Sequence, residues 1–164
     1  KIHELRYHFA GLADEYYTSD VAYETGAAYH PEPWEVNVTA LHDPDNVKWG
    51  DLIEPGTPLP TLWDKEAFEA GSNAAQAERR ELRGVGAPET EMDRLFTEQM
   101  ERETTLRQSI AHAGKVGAFE GASYEPTGLY RPELDCIMFT RNPVGFCRVC
   151  QRGITAVIEQ YSRP

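Results

Sequence analysis

Six prolines between positions 31 and 60 set the strongest limit on this fold. Pro31, Pro33, Pro44, Pro55, Pro58 and Pro60 each remove a backbone donor and clash with a preceding helical turn, so no regular helix can cross this stretch. The surrounding segment, Asp14 to Thr61, is rich in Tyr, Gly and Asp. A long irregular stretch inside a compact domain is uncommon, and is more often functional than idle. Helices must therefore lie on either side of it. Ile2 to about Leu12 reads as one, with Gly11 helping to end it. Asp64 can cap a second that runs to Arg83 and stops at Gly84 and Gly86. Pro88 suits the first turn of a third, in which Met92, Leu95, Phe96, Met100, Leu106 and Ile110 trace an apolar face as far as His112, with Gly114 closing it. A fourth, Cys147 to Tyr161, carries Cys150, Ile154, Val157, Ile158 and Tyr161 at helical spacing. The expected fold class is α+β, mainly helical, with long irregular loops and little room for a sheet. Residues 1–164 are expected to form a single domain, a length sufficient for a real core.

The formal net charge of -11 argues against nucleic acid, whose phosphates demand clusters of Lys and Arg. No apolar run approaches the roughly 18 residues that a membrane helix needs. The opening Lys1-Ile2-His3-Glu4 shows no basic-then-apolar signal pattern.

The residues that carry chemistry lie in the first seventeen. In zinc peptidases of the HExxH type, two histidines four residues apart share a helical face and grip the metal, and the adjacent Glu acts as base toward water. A third ligand follows a glycine turn. Here the order is His3-Glu4-Leu5-Arg6-Tyr7-His8, so Tyr7 occupies the place of the second histidine. At about 100° per residue Tyr7 shares the face of His3, whereas His8 lies about 140° away. His8 could reach the same metal only through a one-residue helical bulge. Tyr7 could bind only after losing a proton whose ordinary pKa is about 10. A lone His-Glu pair on a helix is more often an ordinary surface or core feature than a metal site.

Longer matches strengthen the case. The run His8-Phe9-Ala10-Gly11-Leu12-Ala13-Asp14-Glu15-Tyr16-Tyr17 is followed by Trp34-Glu35-Val36-Asn37-Val38-Thr39 and Val116-Gly117-Ala118-Phe119-Glu120-Gly121-Ala122. Then come Tyr130-Arg131-Pro132, Cys136-Ile137-Met138 and Phe146-Cys147-Arg148-Val149-Cys150. In this order they resemble the IgA-peptidase-type metallopeptidases, whose active-site segment reads HExxHxFAGLADEY and whose ending reads FCxxC. The resemblance implies the C-terminal part of a zincin/metzincin-like catalytic domain. It makes His3 the first zinc ligand, Glu4 the catalytic base and Asp14 the third ligand, with Glu15 the runner-up for that last role. Tyr7 and His8 are the alternative ligands for the remaining place. Met138 matches the methionine of the turn beneath the metal, although an ordinary core methionine would pack in the same way.

By the same resemblance the chain is a zinc-dependent endopeptidase that acts on protein or peptide substrates through a metal-activated water, in an extracellular or periplasmic setting. A small β-sheet would precede the HExxH helix and hold extended substrate. That upstream sheet is absent from these 164 residues, so the chain is expected to be part of a larger chain or assembly. One departure stands out: Leu5-Arg6-Tyr7 replaces the family's aromatic residue, glycine and second histidine. The rival expectation is therefore an inactive metallopeptidase-like module with a binding or structural role. A third is a structural zinc domain organised by the cysteines.

Cys136, Cys147 and Cys150 admit a disulfide with a free thiol, a structural zinc site lacking its fourth ligand, or three buried small hydrophobes. His30, His42 and His112 are isolated and read as solvent-facing loop residues. Asp43-Pro44-Asp45-Asn46 reads as a turn rather than a calcium loop, because it lacks the EF-hand spacing.

Overall fold

The computed structural model describes residues 9–18, 29–140 and 144–162, so His3, Glu4, Tyr7, His8 and the start of the first expected helix lie outside the described residues. The chain forms two compact units. One comprises the chain up to Leu62 and again from His112, and the other is Trp63–Ala111.

The smaller unit is a helical hairpin of α1, Lys65–Gly84, and α2, Glu89–Ser109. The Asp64 carboxylate accepts the Ala67 amide at 3.2 Å and caps α1. Gly86, at φ +63°, turns the chain, and Pro88 stands at the head of α2. Phe68, Ser72 and Ala75 of α1 are buried, as are Met92 and Leu95 of α2. The rest of the expected α2 stripe is only half-buried, and Arg107 is buried instead, 3.3 Å from Glu103 one turn earlier. The helix ends at Ser109, short of His112, because Ile110 is already extended.

The larger unit holds a sheet for which the sequence left little room. Strands β1, Phe119–Ala122, and β2, Glu125–Arg131, pair antiparallel with Phe119 opposite Arg131 and Glu120 opposite Tyr130. Ser123 and Tyr124 both take positive φ, 51° and 65°, as a tight hairpin turn requires. Thr39 flanks the other edge of β2, exchanging two backbone hydrogen bonds with Tyr130 at 3.1 and 2.8 Å. Ala13, Val38, Ala122 and Leu129 pack together over this arrangement. The proline-rich stretch is irregular as expected, interrupted among the described residues by 3-10 turns at Pro44–Asn46 and Gly50–Leu52. Asp43 heads the first of these and accepts the Asp45 amide at 3.1 Å.

The last helix, α3, runs from Arg148 to Ser162. It is anchored by its beginning: Val149 and Cys150 are buried, and a Cβ on Gly153 would lie 2.8 Å from Val36 and 3.5 Å from Leu12. The expected apolar face is corrected by the structure. Ile154 and Val157 are half-buried, while Ile158 and Tyr161 are exposed, because the close approach is spent in the first two turns.

Gly121 lies at the β-bulge with φ +99°, and a Cβ there would meet the buried Tyr17 ring at 2.3 Å. Gly56 also has positive φ, 86°, but open space around it. Gly56→Ala should cost only the backbone term, about 1–2 kcal/mol. Gly121→Ala should add an overpacking cost of about 1–3 kcal/mol. Denaturant unfolding of both variants checks this, and equal losses would show that Tyr17 gives way freely.

Candidate functional site

The site begins where the first helix ends. Phe9 and Ala10 are helical, and Gly11 at φ +58° takes the left-handed conformation that terminates helices. A Cβ at Gly11 would lie 2.6 Å from the Trp34 ring. Beyond it burial alternates: Ala13, Glu15 and Tyr17 are buried, and Asp14, Tyr16 and Thr18 are half-buried. A period of two is that of extended chain, whose side chains point alternately to opposite faces. Both edges of this run are held. Ser123 and Tyr124 donate their amides to the carbonyls of Asp14 and Tyr16 at 2.9 and 3.0 Å, and the Glu15 amide donates to Met138 at 2.9 Å. Asp14 and Glu15, neighbours in sequence, therefore serve different surroundings.

On the Asp14 side, Oδ2 accepts the Tyr124 hydroxyl at 2.6 Å and the Tyr16 hydroxyl at 3.0 Å. The two phenol oxygens are 2.6 Å apart, and the rings meet edge to face. Burial, and then the hydrogen bond to Asp14, push the Tyr124 phenol well above the usual tyrosine range. It therefore stays protonated and remains a donor.

On the other side Glu15 is fully buried. Its Oε1 accepts the Asn37 amide at 2.9 Å and the Cys150 thiol at 3.4 Å, while Oε2 has no hydrogen-bond partner. Asn37 also clasps the Ala13 backbone, accepting its N–H at 2.8 Å and donating to its carbonyl at 2.9 Å. The loop that presents Asn37 is curled around the Lys48 ammonium, which donates to the carbonyls of Pro33, Glu35 and Val38.

The three cysteines complete this pocket. All are buried and free, with Cys136 Sγ 3.9 Å from Cys150 Sγ, too far apart for a disulfide. Cys136 Sγ accepts the amides of Cys147 and Met138 at 3.3 and 3.5 Å, and Cys147 Sγ accepts that of Cys150 at 3.4 Å. One ligand atom from each of Glu15, Cys136, Cys147 and Cys150 lies within 4.8 Å of all the others. Hydrogen bonding with Cys147 and Cys150, joined by the amides of Cys147 and Met138, holds the Cys136 thiol well below the usual thiol range. Its partners Cys147 and Cys150 are pushed up chiefly by hydrogen bonding to Cys136. Desolvation, followed by the charge of Cys136, raises the Glu15 carboxyl.

Of the sequence-derived site residues, Asp14, its runner-up Glu15, Met138 and the three cysteines are described. Met138 is fully buried, and its carbonyl takes the Glu15 amide while its own amide serves Cys136. The structure thus brings together Glu15, Met138 and the cysteine cluster. Glu15 stands where the cysteines lacked a fourth donor, 135 residues before Cys150. An odd set of three thiols was the one sequence signal that a non-cysteine partner was wanted. Asn37 and Tyr124 carry no local signal of their roles.

The family model described as IgA Peptidase M64 matches residues 1–158. The comparison with curated proteins found no match. Among the described residues, no helix is long and apolar enough to cross a membrane.

Asn37→Ala would orphan the Ala13 amide and the Ala13 carbonyl, and would leave Glu15 Oε1 with the Cys150 thiol alone. Each buried orphan costs about 1–3 kcal/mol, so a loss of at least about 2 kcal/mol is expected in chemical unfolding. A loss below about 0.5 kcal/mol, within the range of an ordinary surface substitution, would show that Asn37 does not hold this segment.

Proposed function

We propose a function from one established premise: the chain belongs to the IgA peptidase M64 family, and its function is of the metallopeptidase type. In our reading it is the C-terminal part of a zincin/metzincin-like catalytic domain, a zinc-dependent endopeptidase acting on protein or peptide in an extracellular or periplasmic setting. The observation that carries this reading is the placement of Asp14. It lies three residues after the left-handed Gly11, and its carboxylate is fixed by two tyrosine hydroxyls. Ligating carboxylates are commonly oriented by such outer hydrogen bonds.

A hard carboxylate oxygen suits zinc, as does the imidazole of His3, and these two residues would hold the metal. When bound, zinc supplies Lewis-acid polarisation of the scissile carbonyl. Glu4 accepts the proton of the attacking water and passes it to the departing amine. Tyr16 and Tyr124 keep Asp14 from rotating, and Met138 packs beneath. The donor set is one imidazole short, because Tyr7 stands at the second histidine position. This favours weak metal binding at the catalytic site, and it supports a second reading in which the module keeps the scaffold without the activity.

Tyr7→His should raise zinc affinity at this site more than any other single substitution, because it returns an imidazole one turn from His3. Any peptide cleavage gained by Tyr7→His should vanish in the Tyr7→His, Glu4→Ala double variant. Zinc titration and peptide hydrolysis on these proteins are the test. Unchanged affinity in Tyr7→His would mean that position 7 does not face the metal.

A further inference from the structure

We propose that Glu15, Cys136, Cys147 and Cys150 form a second, structural zinc site, separate from the catalytic one. The site is closed, and it staples the Asp14-bearing segment to the start of α3.

Three sulfurs and one carboxylate oxygen make a four-donor set of the kind that tetrahedral structural zinc uses, and soft sulfur disfavours magnesium and calcium. The spacing agrees with a metal at the centre. With Zn–S near 2.3 Å and Zn–O near 2.0 Å, tetrahedral geometry puts two sulfurs about 3.8 Å apart and a sulfur and an oxygen about 3.5 Å apart. The Cys136–Cys150 sulfur separation is 3.9 Å, and Cys150 Sγ lies 3.4 Å from Glu15 Oε1.

The outer contacts are also those of a metal centre. Backbone amides of Met138 and Cys147 point at Cys136 Sγ, and that of Cys150 at Cys147 Sγ. Such N–H groups stabilise thiolates, and the Asn37 amide orients Glu15 in the same manner. An independent observation indicates a missing partner: Glu15 is fully buried, yet Oε2 makes no hydrogen bond. A buried carboxylate oxygen without a partner is costly, and a cation held by this carboxylate offsets that cost.

The four ligands come from three separate pieces of chain: the extended segment after Gly11, the loop holding Met138, and the entry into α3, with Cys147 just before the helix and Cys150 in its first turn. Zinc would join them by bonds stronger than any packing available among such small side chains. Catalytic zinc and this site differ in donors, so they can be told apart.

The test uses the full chain, loaded with zinc and then separately with cobalt(II). We expect one zinc per molecule to survive dialysis, and to survive the His3→Ala change. Cys147→Ser should weaken retention by roughly a hundredfold or more, and Glu15→Gln by roughly tenfold or more. Since a cysteine variant can fail to fold, the cobalt(II) spectrum of the unmodified chain provides the second readout: intense thiolate-to-cobalt charge transfer with tetrahedral visible bands. A cobalt spectrum without thiolate charge transfer would overturn the site. So would retained zinc that is lost in His3→Ala but kept in Cys147→Ser, whatever peptidase assays show.

Discussion

Everything distinctive in the larger unit depends on one short extended run being held at both edges. The Glu15 amide bonds to Met138 on one side, and the Ser123 and Tyr124 amides bond to the carbonyls of Asp14 and Tyr16 on the other. Asn37 adds a peptide-like clasp on Ala13. Once this backbone is fixed, its period of two sends adjacent carboxylates to different neighbours. Asp14 reaches a pair of tyrosine hydroxyls, and Glu15 reaches a nest of sulfur. A one-residue slip would exchange the two, placing Asp14 among the cysteines.

The second constraint is electrostatic. A fully buried carboxyl beside three buried thiols cannot carry all its formal negative charge without compensation. The protein offers some. Arg131 is wholly buried, lies with its guanidinium 3.8 Å from the centre of the Phe139 ring, and donates to the carbonyls of Glu120 and Gly121. Its charge draws the Glu15 carboxyl downward, yet burial and Cys136 outweigh it. Without a metal, protons must therefore occupy most of the cluster. A divalent cation would replace those protons and compensate the charge of the buried Glu15 carboxylate in the same event.

The legible parts of the fold were those written in local chemistry. Asp64 as a cap, Gly86 as a turn and Pro88 as a helix head are short-range signals, and α1 and α2 begin where those residues require. Strand β2 was hidden because it contains Pro126 and Gly128, both poor strand formers. The exposure of Ile158 and Tyr161 was hidden because helical spacing gives a face but not a partner. The same limit applied to the site. Asp14 and Glu15 could be singled out from the glycine turn, but which of them meets sulfur depends on the register of an extended chain. That register is fixed by Met138 and the hairpin at Ser123, more than a hundred residues away along the chain.

Glu15 and the three cysteines are, in our proposal, ligands of one zinc ion. X-ray absorption at the zinc edge of the zinc-loaded chain addresses it most directly. The predicted first coordination sphere is three sulfurs at about 2.3 Å and one oxygen at about 2.0–2.2 Å, with the oxygen contribution altered in Glu15→Gln. A sphere of nitrogen and oxygen alone, with no sulfur scattering, would contradict it.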